Sequence, residues 1–256
     1  MRTSFVQKTL LCGDIELNPG PTCNQEDQLL DLLSPLRNNR KCSITVGHSN
    51  VRGLHCNLNQ IRFLLKYSKL DVFAITETHL NESVDNSELF IDGYCLWRLD
   101  RRDKKGGGVA FYVKKNIDCE IIPKYEREDI EALWLEVKAR SQRLLVGCVY
   151  RPPGYDGFFG HFNSTLERIW RTRKNVLITG DFNANLLLNS DIRGKKIRQI
   201  MNYYSYKNLI KKPTRTTETT NTLLDLILVS DSSKVRDAGV LDFAIADHKF
   251  IYAVFN

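Results

Sequence analysis

Residues 175–183 read NVLITGDFN. The run Val176–Thr179 is apolar without alternation, which marks a short strand buried on both faces, and it stops abruptly at Gly180 in a polar cluster led by Asp181 and Asn183. A strand that runs through a core and surfaces on a carboxylate and an amide is unusual as packing and useful as chemistry. Working outward, the same grammar recurs. SITVGHSN (43–50), LDVFAITET (70–78), GGGVAFYVKK (106–115), EALWLEVKA (131–139), RLLVGCVY (143–150), TLLDLILVS (222–230) and HKFIYAVF (248–255) all read as strands. LNQIRFLLKYS (58–68), FNSTLERIWRT (162–172) and GKKIRQIMNYYS (194–205) carry apolar residues at helical spacing. No repeat at solenoid spacing is present. The pattern predicts one α/β domain of layered mixed sheets with helices outside.

Composition narrows the class. The 256 residues are 42% hydrophobic, enough for a well-buried core, and the formal net charge of +7 suits a polyanionic partner. Seven cysteines are scattered without a CxxC pair, so neither a disulfide framework nor a zinc site is indicated, and a reducing compartment fits. No apolar run approaches the roughly 20 residues of a membrane span, and the opening MRTSFVQKTLLCGD is too short in apolar residues for a secretory signal, so the expectation is a soluble, intracellular protein with no membrane partner.

The polar residues at strand ends form the candidate site. Asn50 ends the first strand and Glu77 the second, Tyr150 and Arg151 follow LLVGCV, and Asp181 and Asn183 end VLITG. Asp225 interrupts an apolar run, and Asp247 with His248 precedes the last strand. One Asp after a strand is usually a cap or a turn residue. Several, drawn from distant parts of the chain, are how an α/β scaffold assembles an active site.

With SNVRGL (49–54), TETHL (76–80), GGGVAFYV (106–113), VYRPP (149–153), GDFNAN (180–185), TLLDLILV (222–229) and ADHK (246–249) in this order, residues 43–256 resemble the endonuclease/exonuclease/phosphatase superfamily, and more narrowly the endonuclease domains of non-LTR retrotransposons. The resemblance implies a two-sheet mixed β-sandwich flanked by helices. It also implies a Mg²⁺ site, Mn²⁺ being an alternative, with Glu77 as principal ligand and Asn50 beside it; hard cations of this kind take oxygen ligands and few protein carboxylates. Asp181 matches the residue that orients or deprotonates the attacking water, and Asn183 its partner on the phosphate. Asp247 and His248 match the closing pair, with Asp225 fixing the His248 tautomer and Tyr150 donating to the phosphate. Arg151 and Arg215, the latter in KKPTRTT (211–217), are the expected nucleic-acid contacts. The reaction implied is metal-assisted in-line hydrolysis of DNA, nicking a target to prime reverse transcription. The partners implied are DNA and, in a full-length element, a reverse transcriptase domain; the domain itself is expected to be monomeric and to act in the nucleus after cytoplasmic synthesis. Rival readings are an abasic-site repair nuclease or another phosphoesterase of the same fold, and a decayed domain that binds nucleic acid without cutting it. VYRPP and TETHL favour the retroelement branch.

Two departures stand out. Repair-type relatives carry an Asp where this chain has Arg52, which puts a second metal contact in question, and Ala246 replaces a usual Ser before the Asp-His pair. His48, His55, His79 and His161 show no metal-ligand spacing and read as surface or core residues. GGGVAFYV lacks a following GK[ST], so it reads as a tight turn into a strand and not as a nucleotide loop. The basic runs RLDRRDKK (98–105) and RTRK (171–174) read as solvated loops, with phosphate-backbone contacts as the alternative.

The N-terminal segment differs from the rest. Residues 1–21 read as a leader and 22–42 as a polar linker, where Pro35 and Asn38-Asn39 end any helix quickly. Within the leader, Asp14, Glu16, Asn18, Pro19, Gly20 and Pro21 resemble the ribosome-skipping (2A-like) pattern DxExNPGP. A plain Pro-Gly-Pro turn is the alternative.

Overall fold

The computed structural model describes residues 30–37, 43–102, 104–139 and 142–256. The 2A-like segment 14–21 lies outside the described residues. Two six-stranded sheets face each other. The first has the order β13-β14-β1-β2-β4-β3, built from β1 (Ile44–Asn50), β2 (Val72–Thr76), β3 (Tyr94–Leu99), β4 (Val109–Lys114), β13 (Val235–Ala244) and β14 (Lys249–Phe255). The second has the order β5-β6-β7-β8-β12-β9, from β5 (Cys119–Ile121), β6 (Glu131–Ala139), β7 (Gln142–Tyr150), β8 (Val176–Asp181), β9 (Lys207–Asn208) and β12 (Asp225–Val229). A separate ribbon pairs β10 (Arg215–Thr216) with β11 (Asn221–Thr222). Helices α1 (Ser34–Arg37), α2 (Leu58–Tyr67), α3 (Phe158–Trp170) and α4 (Ile192–Tyr204) complete the elements used below. The expected two-sheet mixed sandwich with flanking helices is what forms.

The central strands are apolar in runs because both of their faces are covered: β2, β8 and β12 are buried at every position. The larger core lies between the sheets, with Val46, Phe111, Trp134, Val146 and Ile178 in it, and it continues beneath α3 through Phe158, Phe162, Leu166 and Ile169. A second core joins Ile61, Leu64 and Leu65 of α2 to Phe73, Tyr112 and Phe250 on the first sheet. Each such side chain, fully buried, contributes about 1.5–3 kcal/mol before entropy is counted.

Local chemistry sets the ends. Asp191 caps α4 by accepting from Gly194 N at 2.5 Å, and Ser205 closes that helix in the left-handed region at φ 59°. Gly180, at φ 149°, lets β8 approach β7 so closely that a Cβ there would stand 1.8 Å from Val149 O.

Two local expectations are corrected. Leu33 and Leu36, read as part of a polar linker, are fully buried in the second core, and Lys69 N donates to Leu36 O at 3.3 Å. Their i, i+3 spacing is that of one helical face, which the surrounding polar residues obscured. TLLDLILVS is not one strand, since β12 begins at Asp225 while Thr222 belongs to the β10–β11 ribbon.

The topology positions the site. Among the described residues, only two strand pairs in the sandwich are parallel, β1 with β2 and β7 with β8, one pair in each sheet. In register, Asn50 lies beside Thr76, the residue before Glu77, and Tyr150 beside Asp181, which faces Asp225 across the antiparallel β8–β12 pair. The polar ends of both parallel pairs therefore open at the same edge of the sandwich.

Candidate active site

Asn50 joins the two sheets. Its side chain is fully buried, and Nδ2 donates to Glu77 Oε1 at 2.8 Å and to Asp181 Oδ2 at 3.0 Å, while Oδ1 accepts from Arg52 N at 3.2 Å. Glu77 turns out of β2 at φ 54°, and Tyr150 OH donates to the same Oε1 at 3.0 Å. The other oxygen, Oε2, lies 3.2 Å from His79 Nε2. Asp181 Oδ1 accepts from Asn183 N at 2.8 Å, an Asx turn that holds the carboxylate as the chain leaves β8. Asn183 Nδ2 donates to Arg151 O at 2.9 Å.

Five described non-glycine residues adopt positive φ, and four of them (Arg52, Glu77, His79 and Asn183) surround this point. Such backbone is unfavourable for side-chain-bearing residues and persists only where the surroundings over-determine it, as they do at functional sites.

Asp225 and His248 complete the centre. His248 Nδ1 stands 2.8 Å from Asp225 Oδ2, both groups buried, and Asp225 N donates to Thr214 Oγ1 at 3.1 Å. Asp247 faces outward, where its Oδ2 accepts from Arg215 Nε at 2.8 Å and pairs with Arg52 NH1 at 3.3 Å. A bridge between Arg215 and His248 ties the β10–β11 ribbon to the start of β14.

The electrostatics follow from crowding. Burial raises Asp181, the Asp225 charge raises it further, and the carboxyl sits at about 7. Burial would also raise Asp225, but the charge and hydrogen bond of His248 hold it below the usual carboxylate range. Burial pulls His248 down, yet Asp225, then Asp181 and Asp247, push the imidazole up to about 9, so it is cationic at neutral pH. Burial resists ionisation of Asp247 too, and the Arg215 hydrogen bond together with the His248, Arg52 and Arg215 charges outweighs it, keeping that carboxyl low. The Tyr150 phenol, desolvated and beside Glu77, is pushed well up and stays a donor.

The residues suit a divalent cation. Asp181, Asp225 and His248 offer ligand atoms within 4.8 Å of one another, and the Asn50 amide links Asp181 to the Glu77 carboxylate. Burial first, and then the neighbouring Asp225 charge, raise Asp181, and a bound cation would offset both. Oxygen donors predominate, as hard cations require.

The structure thus brings Asn50, Glu77, Tyr150, Asp181, Asn183, Asp225, Asp247 and His248 together, with Arg215 at the rim. Arg151 is placed elsewhere than expected. Its side chain is buried, with Nε donating to Phe182 O at 2.6 Å and NH2 to Asn183 O at 2.7 Å, so it clamps the turn after β8 and does not face a nucleic acid. A guanidinium there satisfies carbonyls that the strained turn leaves unpaired. Two histidines read as ordinary surface or core residues also belong to the site: His79, on Glu77, and His48, fully buried with Nδ1 3.8 Å from Asp225 Oδ1. His48 lies two residues before Asn50 on one strand, hence on the same face, and that period was the available signal.

Among solved structures, the endonuclease domain of TRAS1, a telomere-specific non-LTR retrotransposon, superposes with a TM-score of 0.68 at 14% identity, covering 84% of this chain and 98% of that one. An AP endonuclease from Archaeoglobus fulgidus gives 0.61 at 15% identity, covering 83% and 99%. In sequence, the chain is 24% identical over 144 residues to the RNA-directed DNA polymerase from mobile element jockey of Drosophila funebris, and 22% identical over 172 residues to that of Drosophila melanogaster. These stretches are 56% and 65% of this chain but 15% and 18% of those proteins, so the chain spans less than a fifth of their length. Residues 47–248 match the Endonuclease/Exonuclease/phosphatase family, and the chain belongs to it.

Proposed function

We propose that this chain is a divalent-metal-dependent phosphodiester hydrolase that nicks DNA, the endonuclease of a non-LTR retrotransposon. The observation that carries the reading is the meeting of Asn50, Glu77 and Asp181 with a buried Asp225–His248 ion pair at one sandwich edge. The jockey likeness and the TRAS1 superposition favour the retroelement over a repair nuclease.

Glu77 and Asn50 would hold the cation, Mg²⁺ or Mn²⁺, which supplies charge stabilisation at a phosphate oxygen. The chain does the rest. Asp181, poised at about 7, takes a proton from the attacking water, and Asn183 fixes its orientation through the Asx turn. His248, cationic and aimed by Asp225, donates to a phosphate oxygen as negative charge builds. Tyr150 holds Glu77 in place, and Arg215 and Arg52 at the rim meet the backbone.

The test is closed-circular plasmid with Mg²⁺ or Mn²⁺, against EDTA. Nicked circles whose 3′ ends a polymerase extends directly are expected only with metal. Intact plasmid under every metal condition rejects the hydrolase reading, and cleavage confined to abasic plasmid selects the repair reading.

The 43–256 domain is proposed to work as a monomer on nuclear DNA, joined in the full element to a reverse transcriptase domain. Residues 14–21 are proposed to act earlier, during synthesis: the constrained secondary amine of prolyl-tRNA at Pro21 is a poor acceptor, so the bond to Gly20 is skipped. Reporters fused on either side of residues 1–40 should emerge from cell-free translation as two products, and Pro21→Ala should return one. A single fused product from both sequences removes this role and leaves the hydrolase untouched.

A further inference from the structure

The Asp225 carboxylate lies between two imidazoles. On one side His248 is bonded to Oδ2 at 2.8 Å, and on the other His48 Nδ1 stands 3.8 Å from Oδ1. His48 and Asp225 are both fully buried, and among the described residues neither His48 Nδ1 nor Asp225 Oδ1 has a hydrogen-bond partner. Two orphaned polar atoms facing each other in a dry interior are costly, and each is the other's natural complement. The remaining ring nitrogen, Nε2, lies 3.2 Å from Thr76 Oγ1 on the neighbouring strand. If the Thr76 hydroxyl donates to Nε2, the proton of a neutral ring must sit on Nδ1, aimed at Asp225.

We propose that His48 is a positioning residue: a neutral imidazole, fixed in its Nδ1–H tautomer by Thr76, that closes on Asp225 Oδ1 and holds the carboxylate square to His248. The inference rests on the hydrolase reading of the site. His48 touches neither substrate nor metal and acts through Asp225. A separation of 3.8 Å is longer than a hydrogen bond, and catalytic contacts of this kind often tighten only when substrate is bound. The position of His48 supports the role as well, because β1 delivers His48 and Asn50 to the same face, so one strand supplies both the link to Glu77 and the support behind the ion pair.

Two substitutions separate the nitrogens, since Asn places an amide N–H where Nδ1 was, and Gln places one where Nε2 was. In plasmid nicking by the full chain, His48→Gln should lower kcat about tenfold with KM and DNA affinity in EDTA unchanged, the size of effect seen for groups that orient an active-site ligand. His48→Asn should stay within about twofold. The Nδ1-bound proton resonance of His248, read in the same proteins by NMR, should shift in the Gln variant and hold in the Asn variant. Equal rates in the two variants, or a resonance that moves in neither, overturns the role of His48 while wild-type nicking keeps the hydrolase reading. Where the wild type does not nick, that reading falls, and the His248 resonance still decides whether His48 supports Asp225.

Discussion

At the scale of single residues, function is concentrated where backbone preference is violated. Arg52, Glu77, His79 and Asn183 sit at positive φ because hydrogen bonds hold them there, such as Gly53 N to Glu77 O at 2.8 Å. Glu77 and Asp181 share the Asn50 amide, and Asn183 N holds the Asp181 carboxylate. Replacing His248 with Ala should lower the nicking rate by ~10²–10³, the cost of one lost transition-state donor, with DNA affinity nearly unchanged. Steady-state rates alongside binding in EDTA check this, and a loss confined to binding would remove the assignment. The sequence made most of the site visible because several polar groups end apolar runs at distant points in the chain, where one alone would read as a cap or turn residue. It misplaced Arg151, which looks like a surface cation yet spends its donors on Phe182 O and Asn183 O. Nothing in VYRPP distinguishes a guanidinium facing DNA from one facing carbonyls, because the carbonyls come from another strand.

At the scale of elements, the two parallel pairs do the positioning. β8 carries Asp181 to its place only because it lies against β7 without a Cβ between them at Gly180. Gly180→Ala should therefore cost about 2–4 kcal/mol, combining strain at positive φ with a clash against main chain that cannot move aside. Denaturant unfolding of the two proteins measures it, and a midpoint unchanged within error contradicts the close approach. The strands with buried apolar runs were legible, and α2, α3 and α4 from their spacing, whereas β3 and β13, partly exposed at the two edges of the first sheet, carry no such run and were not. The end of TLLDLILVS was not, since Asn221–Thr222 pairs with Arg215–Thr216 in a ribbon whose partner strand carries no periodic signal of its own in two residues.

At the scale of the whole molecule, the basic excess of +7 surrounds a buried cluster that is itself acidic. On the proposed function, long-range attraction would bring a polyanion to the surface, and the cation and His248 would receive its phosphate. DNA binding in EDTA should weaken steeply with salt, each phosphate contact adding about −0.9 to the slope of log K against log salt, and Arg215→Ala should reduce that slope by about one contact. Titrations across a salt series check it; a flat response points to a small-molecule phosphoesterase. The amino-acid sequence by itself determined the apolar central strands, which of their ends are polar and the sign of the net charge, because local periodicity and composition need no partner to be read. Tertiary structure alone decided that Leu33 and Leu36 belong to the core, that Arg151 turns inward, and that His48 stands behind Asp225, 177 residues away in number but 3.8 Å in space. Those facts depend on which sheet edges meet, and contacts between distant strands are set by the packing of two whole sheets, which no window along the chain contains.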